Sequence, residues 1–228
     1  MEGRFEGERG IGIYYQAWIP PGKPKASLVL CHGQGEHSGR FTHVAEYMVR
    51  NGYAFWAHDF RGHGRSAGKR GHVDNFDDYL ADLNRLIGIA KEKDPTAKTF
   101  LYGHSLGGLI VLGYAEKRGS ELAGVVSTAP LLGLKMKVSP LKTFLGKTLS
   151  SIVPTFTLGT GLDPNLLSHR QEIVHSYVSD PLVHGVASAR FYTELLRSAE
   201  ETMGSAGKLK LPCLIMQARA DGIVDPSG

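Results

Sequence analysis

The sequence predicts an α/β fold, a mostly parallel sheet covered by helices on both faces. Three observations carry that reading. Short runs of strand formers alternate with amphipathic helical runs as far as Pro130. A serine flanked by glycines at −2 and +2, in Gly103-His104-Ser105-Leu106-Gly107, stands between an apolar strand-like run and a helical one. That is the arrangement of a nucleophile elbow, where the turn is too sharp for side chains at the flanking positions. The alternation then lapses until Pro212, which leaves room for an insertion.

The chain begins with MEGRFEGERG, charged and without the apolar stretch of a signal peptide. Ile11 to Trp18 reads as a strand, with Pro20-Pro21-Gly22 as the turn after it. Ser27 to Cys31 reads as a buried parallel strand ending in the glycine-bearing loop His32-Gly33-Gln34-Gly35-Glu36-His37. Phe41 to Arg50 is helical, with Phe41, Val44, Ala45 and Met48 on one face and Gly52 as its stop. Tyr53 to His58 is the next strand, followed by a turn in which Asp59 and Arg61 read as a structural pair. Phe76 to Lys93 is a longer helix, capped by Asp74 or Asn75 and ended by Asp94-Pro95. The Phe100 strand, the elbow, its helix and the buried strand Gly124 to Thr128 complete the alternating part.

Beyond Pro130, Val138, Leu141, Leu145, Leu149 and Ile152 fall at helical spacing, and Leu131, Leu132, Leu134, Phe144, Phe156 and Leu158 add apolar surface. Leu131 to Ala206 is expected to form a cap over the carboxyl ends of the strands, where ligand sites of such sheets lie. The excess of leucine and phenylalanine suits an acyl-chain tunnel, though a helix face packed on the body has the same pattern. Pro212 to Ala218 reads as a last buried strand. The expected division is 1–130 and 207–228 as the core and 131–206 as the inserted cap.

Bulk properties exclude several classes. Hydrophobic residues make up 42% and charged residues 21%, as in ordinary globular domains. The 26 basic and 22 acidic residues leave a charge of +4. The basic residues form no stripe that would track a nucleic acid, so no such partner is expected, and transient contact with an anionic membrane surface is compatible with the charge. Cys31 and Cys213 both adjoin apolar runs and read as small core residues, which fits a reducing, cytoplasmic setting. No run is long enough to span a membrane. No metal-ligand cluster is apparent, and the glycine-rich elbow lacks the lysine of a phosphate-binding loop, so no cofactor is expected. Oligomeric state is not legible.

The chemistry centres on Ser105. A serine hydroxyl is a weak nucleophile and needs a histidine to take its proton, a carboxylate to orient that histidine, and N–H donors for the oxyanion. The backbone N–H of Leu106, just after the nucleophile, is one candidate donor, and that of Gln34, in the loop after the earlier strand, is the other. Asp221 follows the late strand, where the acid belongs in a Ser…Asp…His order, with Asp225 as its rival. The base is the gap. All 10 histidines precede Asp221, and only 7 residues follow it. His104 adjoins the nucleophile and faces away, His32 and His37 belong to the oxyanion loop, and His169, His175 and His184 lie in the insertion. The expected base therefore falls in a further strand and helix beyond Gly228.

HGQGEHSGR (His32–Arg40), HDFRGHGRSAGKRGHV (His58–Val73) and GHSLGG (Gly103–Gly108) resemble the monoacylglycerol lipase and lysophospholipase group of the α/β-hydrolases. The resemblance continues through LLSHR (Leu166–Arg170), YVSDPLV (Tyr177–Val183) and ARADGIVD (Ala218–Asp225), so it spans nearly the whole chain. It implies the α/β-hydrolase fold with a cap inserted after the sixth strand. It also implies a serine hydrolase acting on single-chain glycerol esters such as monoacylglycerols, with Glu36, Arg40 and Tyr177 at the polar end of the substrate. A lysophospholipase, a broad carboxylesterase or thioesterase, and, given the missing histidine, a non-catalytic lipid-binding protein on the same scaffold are the alternatives. The resemblance departs from the family only in lacking the C-terminal histidine and its strand.

Overall fold

The computed structural model describes residues 1–133, 135 and 140–226. Nine strands and six α-helices are formed by these residues. They are β1 (Glu2–Glu6), β2 (Gly12–Trp18), β3 (Ala26–Cys31), α1 (Thr42–Arg50), β4 (Ala54–His58), α2 (Asp77–Lys93), β5 (Lys98–His104), α3 (Leu106–Arg118), β6 (Gly124–Thr128), α4 (Pro140–Ile152), β7 (Thr157–Gly159), α5 (Gln171–Val178), β8 (Val186–Ser188), α6 (Ala189–Ser205) and β9 (Cys213–Met216).

Seven strands make one sheet in the order β1-β2-β4-β3-β5-β6-β9. Only β1 and β2 run antiparallel to their neighbours. The pairs β3–β4, β3–β5, β5–β6 and β6–β9 are all parallel. Side chains of the central strands alternate between two cores, as the pleat requires. Val29, Cys31, Trp56, Leu101 and Val125 pack with α2 and α3 on one face. Leu30, Phe55 and Ala57 pack with Phe41 and Ala45 on the other. A sheet buried on both faces accounts for the unbroken apolar runs that mark β3 and β4.

The N-terminal segment forms β1, which the sequence reading left as a charged tail. Its alternation of Phe5 inward with Glu2, Arg4 and Glu6 is only five residues long. Asp59 and Arg61 do not pair with each other. The Asp59 carboxylate accepts from the Ser38 N–H, the Ser38 hydroxyl and the Arg65 N–H. Arg61 turns instead to Asp78 and Asp82 on α2, and to the Glu8 carbonyl. Asn75, not Asp74, accepts from the Asp77 N–H at the start of α2.

The interval between β6 and β9 is not free of strands, because β7 and β8 pair as a separate antiparallel ribbon. Val138 and Leu134 lie outside the described residues. Of the expected helical stripe, Leu149 is half-buried and Ile152 is 73% exposed. Phe191, Leu195 and Ala199 of α6 join the main core beside α3. β9 forms as expected and is exposed within residues 1–228. Leu214, Ile215 and Met216 are about half exposed, and Cys213 is exposed as well. Among the described residues β9 pairs with β6 alone, and no element covers its faces.

Candidate active site

Five parallel strands, β3, β4, β5, β6 and β9, end at one edge of the sheet, and Gln34, Ser105 and Asp221 follow β3, β5 and β9 there. Ser105 follows β5 directly and stands at the head of α3, with φ 54° and ψ −115°. A non-glycine residue in that region costs about 1–3 kcal/mol and persists only when its surroundings enforce it. The enforcement is visible. The Ser105 N–H donates to the Thr128 carbonyl at 2.9 Å, and the Ser105 carbonyl accepts from the N–H groups of Leu109 and Leu131. A Cβ on Gly103 would overlap the Gly107 carbonyl, and one on Gly107 would overlap the Cys31 carbonyl. Both glycines of the pattern are therefore required by backbone contacts, one within the elbow and one between the elbow and the end of β3.

The loop after β3 lies against the serine. A Cβ built on Gly33 would sit 3.4 Å from the Ser105 Cβ. His32 holds the base of this loop. Its Nδ1 donates to the Gly33 carbonyl at 2.7 Å, and its Nε2 accepts from the Phe60 N–H at 3.0 Å. Burial, reinforced by neighbouring histidines, keeps the ring well below the ordinary histidine pKa, consistent with this neutral tautomer. The Gly33 N–H donates to Glu36 Oε1 at 2.7 Å, which fixes the turn ahead of Gln34. Gln34 reaches two ways with its side chain, to the Val186 carbonyl and to His63.

Glu36, Arg40 and Tyr177 are brought together. Arg40 lies 3.6 Å from the Glu36 carboxylate, and its guanidinium stacks over the Tyr177 ring at 5.1 Å. Burial raises the Tyr177 pKa, with Glu36 adding to the rise and Arg40 opposing it. Sequence reasoning missed two members of this cluster. His37 donates from Nε2 to Asp180 at 2.9 Å, and Arg40 approaches the same carboxylate at 3.8 Å. Burial alone would raise the Asp180 pKa, but the bonds from His37 and the Leu182 N–H, with Arg40 nearby, hold it low. Asp180 was visible within YVSDPLV, but no local pattern pairs it with a loop 143 residues away.

Asp221 follows β9, which runs parallel to β6 and is tied to it by Ala129 N–H donating to Met216 O. Its Oδ1 accepts from the N–H groups of Ile223 and Val224, and its Oδ2 from the Gln217 amide. The carboxylate is thus fixed by its own turn. Among the described residues no histidine hydrogen-bonds Ser105. His104 Nδ1 donates to Thr128 Oγ1, whose hydroxyl in turn donates to the Gly103 carbonyl. Among the described residues, no group of three or more His, Cys, Asp or Glu could hold a metal ion. No described helix is long and apolar enough to cross a membrane.

The strained serine at a strand–helix elbow, backed by a glycine loop on a mixed sheet, defines an α/β-hydrolase. The chain belongs to the family described as serine aminopeptidase, S33, whose profile matches residues 22–228. A monoacylglycerol lipase of Mycolicibacterium smegmatis is 33% identical over 228 residues, covering 100% of this chain and 81% of the relative. A monoglyceride lipase of Rattus norvegicus is 34% identical over 221 residues, or 96% of this chain and 73% of the relative. The crystal structure of Paleococcus ferrophilus monoacylglycerol lipase superimposes with a TM-score of 0.83 at 36% identity, covering 94% of this chain and 80% of that one. The chain is accordingly a lipase-like hydrolase of this family.

Proposed function

We propose that the protein cleaves single-chain glycerol esters, monoacylglycerols first among them, through an acyl-enzyme on Ser105. The observation that carries this reading is the Ser105 backbone, held at positive φ with the Gly33–Gln34 loop against it. Ser105 Oγ attacks the ester carbonyl, and the carbonyl oxygen takes up negative charge between the N–H groups of Gln34 and Leu106. A histidine oriented by Asp221 accepts the serine proton and returns it to the glycerol oxygen as that bond breaks. Water then attacks the acyl-enzyme by the same route and releases the fatty acid. His32, His37, His63 and His104 are each committed to other partners, and none of them is assigned as this base.

The names of the relatives support the substrate class, and so does the apolar surface of segment 131–206, assigned here as the cap. Glu36, Arg40 and Tyr177 would meet the glycerol end, since their cluster borders the Gln34 loop. Exposed Ile152, Phe156 and Leu158 would touch a membrane surface transiently while substrate enters.

The test is substrate profiling of the full-length protein with monoacylglycerols, lysophospholipids, thioesters and peptide amides. The reading predicts preference for the monoacylglycerol and loss of turnover in Ser105→Ala with the fold intact. A preference for the amide or thioester would displace the substrate assignment, and turnover surviving in Ser105→Ala would displace the mechanism.

A further inference from the structure

The Gln34 side chain lies in a row of polar groups that runs through the body into the cap. The row begins at the Arg61 carbonyl, 3.0 Å from His63 Nδ1. His63 Nε2 is 3.1 Å from Gln34 Oε1, and Gln34 Nε2 donates to the Val186 carbonyl on β8 at 3.1 Å. His63 is fully buried between His32 and His184, with ring centroids 5.5 and 4.6 Å away. β8 is fixed to the body on its other side as well. The Ser188 N–H donates to the Gly71 carbonyl, and the His184 N–H to the Gly35 carbonyl.

Both end groups are carbonyls and can only accept. The Gln34 amide gives its N–H to Val186 and so presents its oxygen to His63. His63 therefore faces two acceptors, while a neutral imidazole carries one N–H. Burial, with His32, His184 and Arg70 nearby, keeps the ring neutral. If the proton sits on Nε2, the two bonds of the Gln34 amide form in series and polarise each other. In that arrangement the Nδ1 lone pair faces the Arg61 carbonyl at 3.0 Å, and with the proton on Nδ1 the Gln34 oxygen faces a lone pair at 3.1 Å instead.

We propose that the Gln34 side chain, gripped between the Nε2–H of neutral His63 and the Val186 carbonyl, is the positioning device that sets its own backbone N–H against the oxyanion. This rests on the serine-hydrolase reading above and adds to it a residue-specific coupling between cap and oxyanion loop. The side chain touches no reacting atom. It acts through the main chain of its own residue, and it makes attachment of β8 a condition for correct placement of that donor.

Gln34→Met keeps the bulk of the side chain and removes both bonds. Removing a whole oxyanion donor costs about 10²–10³ in kcat, so displacing one is expected to lower kcat about tenfold. KM should stay within about twofold, because ground-state binding does not use this donor. The full-length protein is to be assayed with a monoacylglycerol and a nitrophenyl ester, alongside 15N NMR of His63. The expected spectrum shows the Nε2–H tautomer in the parent and a changed ring pattern in Gln34→Met. A folded Gln34→Met with parental kcat, or a parent His63 protonated on Nδ1, overturns the proposal. A lowered Tm with parental kcat in the folded fraction assigns Gln34 a structural role only and also overturns it. Ser105→Ala separates the levels. If it abolishes turnover while Gln34→Met does not, the coupling fails and the nucleophile stands. If Ser105→Ala retains turnover, the underlying reading fails.

Discussion

β3 and β9 read alike in the sequence and end up in opposite surroundings. Each is a short apolar run with a cysteine, and each pairs in parallel within the same sheet. Val29, Leu30 and Cys31 of β3 are fully buried, whereas Leu214 and Ile215 of β9 are each 53% exposed. The strands do not differ in propensity. β3 has a strand on either side, α3 over one face and α1 over the other, while β9 has one strand neighbour and no described cover. Composition states what a strand can bury, and its neighbours decide what it does bury.

Side-chain truncation on the two strand environments is the most direct attack on that comparison. Leu101→Ala on β5, at a fully buried site, is expected to cost about 2–5 kcal/mol in denaturant unfolding. Leu214→Ala in the 228-residue chain is expected to stay within about 0.5 kcal/mol. Equal losses would show that β9 is buried after all.

A smaller effect should appear on lowering the pH. His58 ends β4 inside the core, and burial lowers its pKa from 6.5 to about 4. Above pH 6.5 the ring is neutral in both folded and unfolded chains and contributes no pH dependence. Below it the unfolded chain takes up the proton first, so stability falls with falling pH until about pH 4. From pH 6.5 to 5 the loss from this group is about 2 kcal/mol. A His58→Gln variant should show a correspondingly shallower slope, and an unchanged slope would assign the effect to other groups.

The two thiols should show the smallest energetic effect and the sharpest contrast. Burial raises the pKa of both, and Cys31 is fully buried whereas Cys213 is exposed. A thiol reagent should modify Cys213 in the folded 228-residue chain and reach Cys31 only on unfolding. Modification of both at the same rate would contradict the assigned burial.

What was legible in the sequence follows the same divide. The elbow is written in adjacent residues, because Gly103 and Gly107 are there to avoid backbone overlap within a few positions of Ser105. The strands and helices to Thr128 were readable because two covered faces turn apolar periodicity into burial. β1 was hidden by its charges, since a five-residue edge strand needs only one inward side chain, Phe5. The partners of Arg61 were hidden because Asp78 and Asp82 are distinguished only by being stacked on α2 facing it. His37 with Asp180, and His63 with Gln34 and Val186, join residues that are far apart in sequence. Each looks ordinary alone, and only the folding of residues 171–188 back over the loop after β3 gives them partners. Cys213 is exposed within residues 1–228, where its strand pairs with β6 alone.

The central claim is that Ser105 is the nucleophile and that the Gln34–Leu106 edge receives the oxyanion. Its most direct test is to treat the full-length protein with a long-chain alkyl fluorophosphonate and map the adduct by peptide mass spectrometry. The account predicts a single covalent adduct on the peptide containing Ser105, formed in step with loss of esterase activity and absent in Ser105→Ala. An adduct on another residue, or full activity with Ser105 modified, would contradict it.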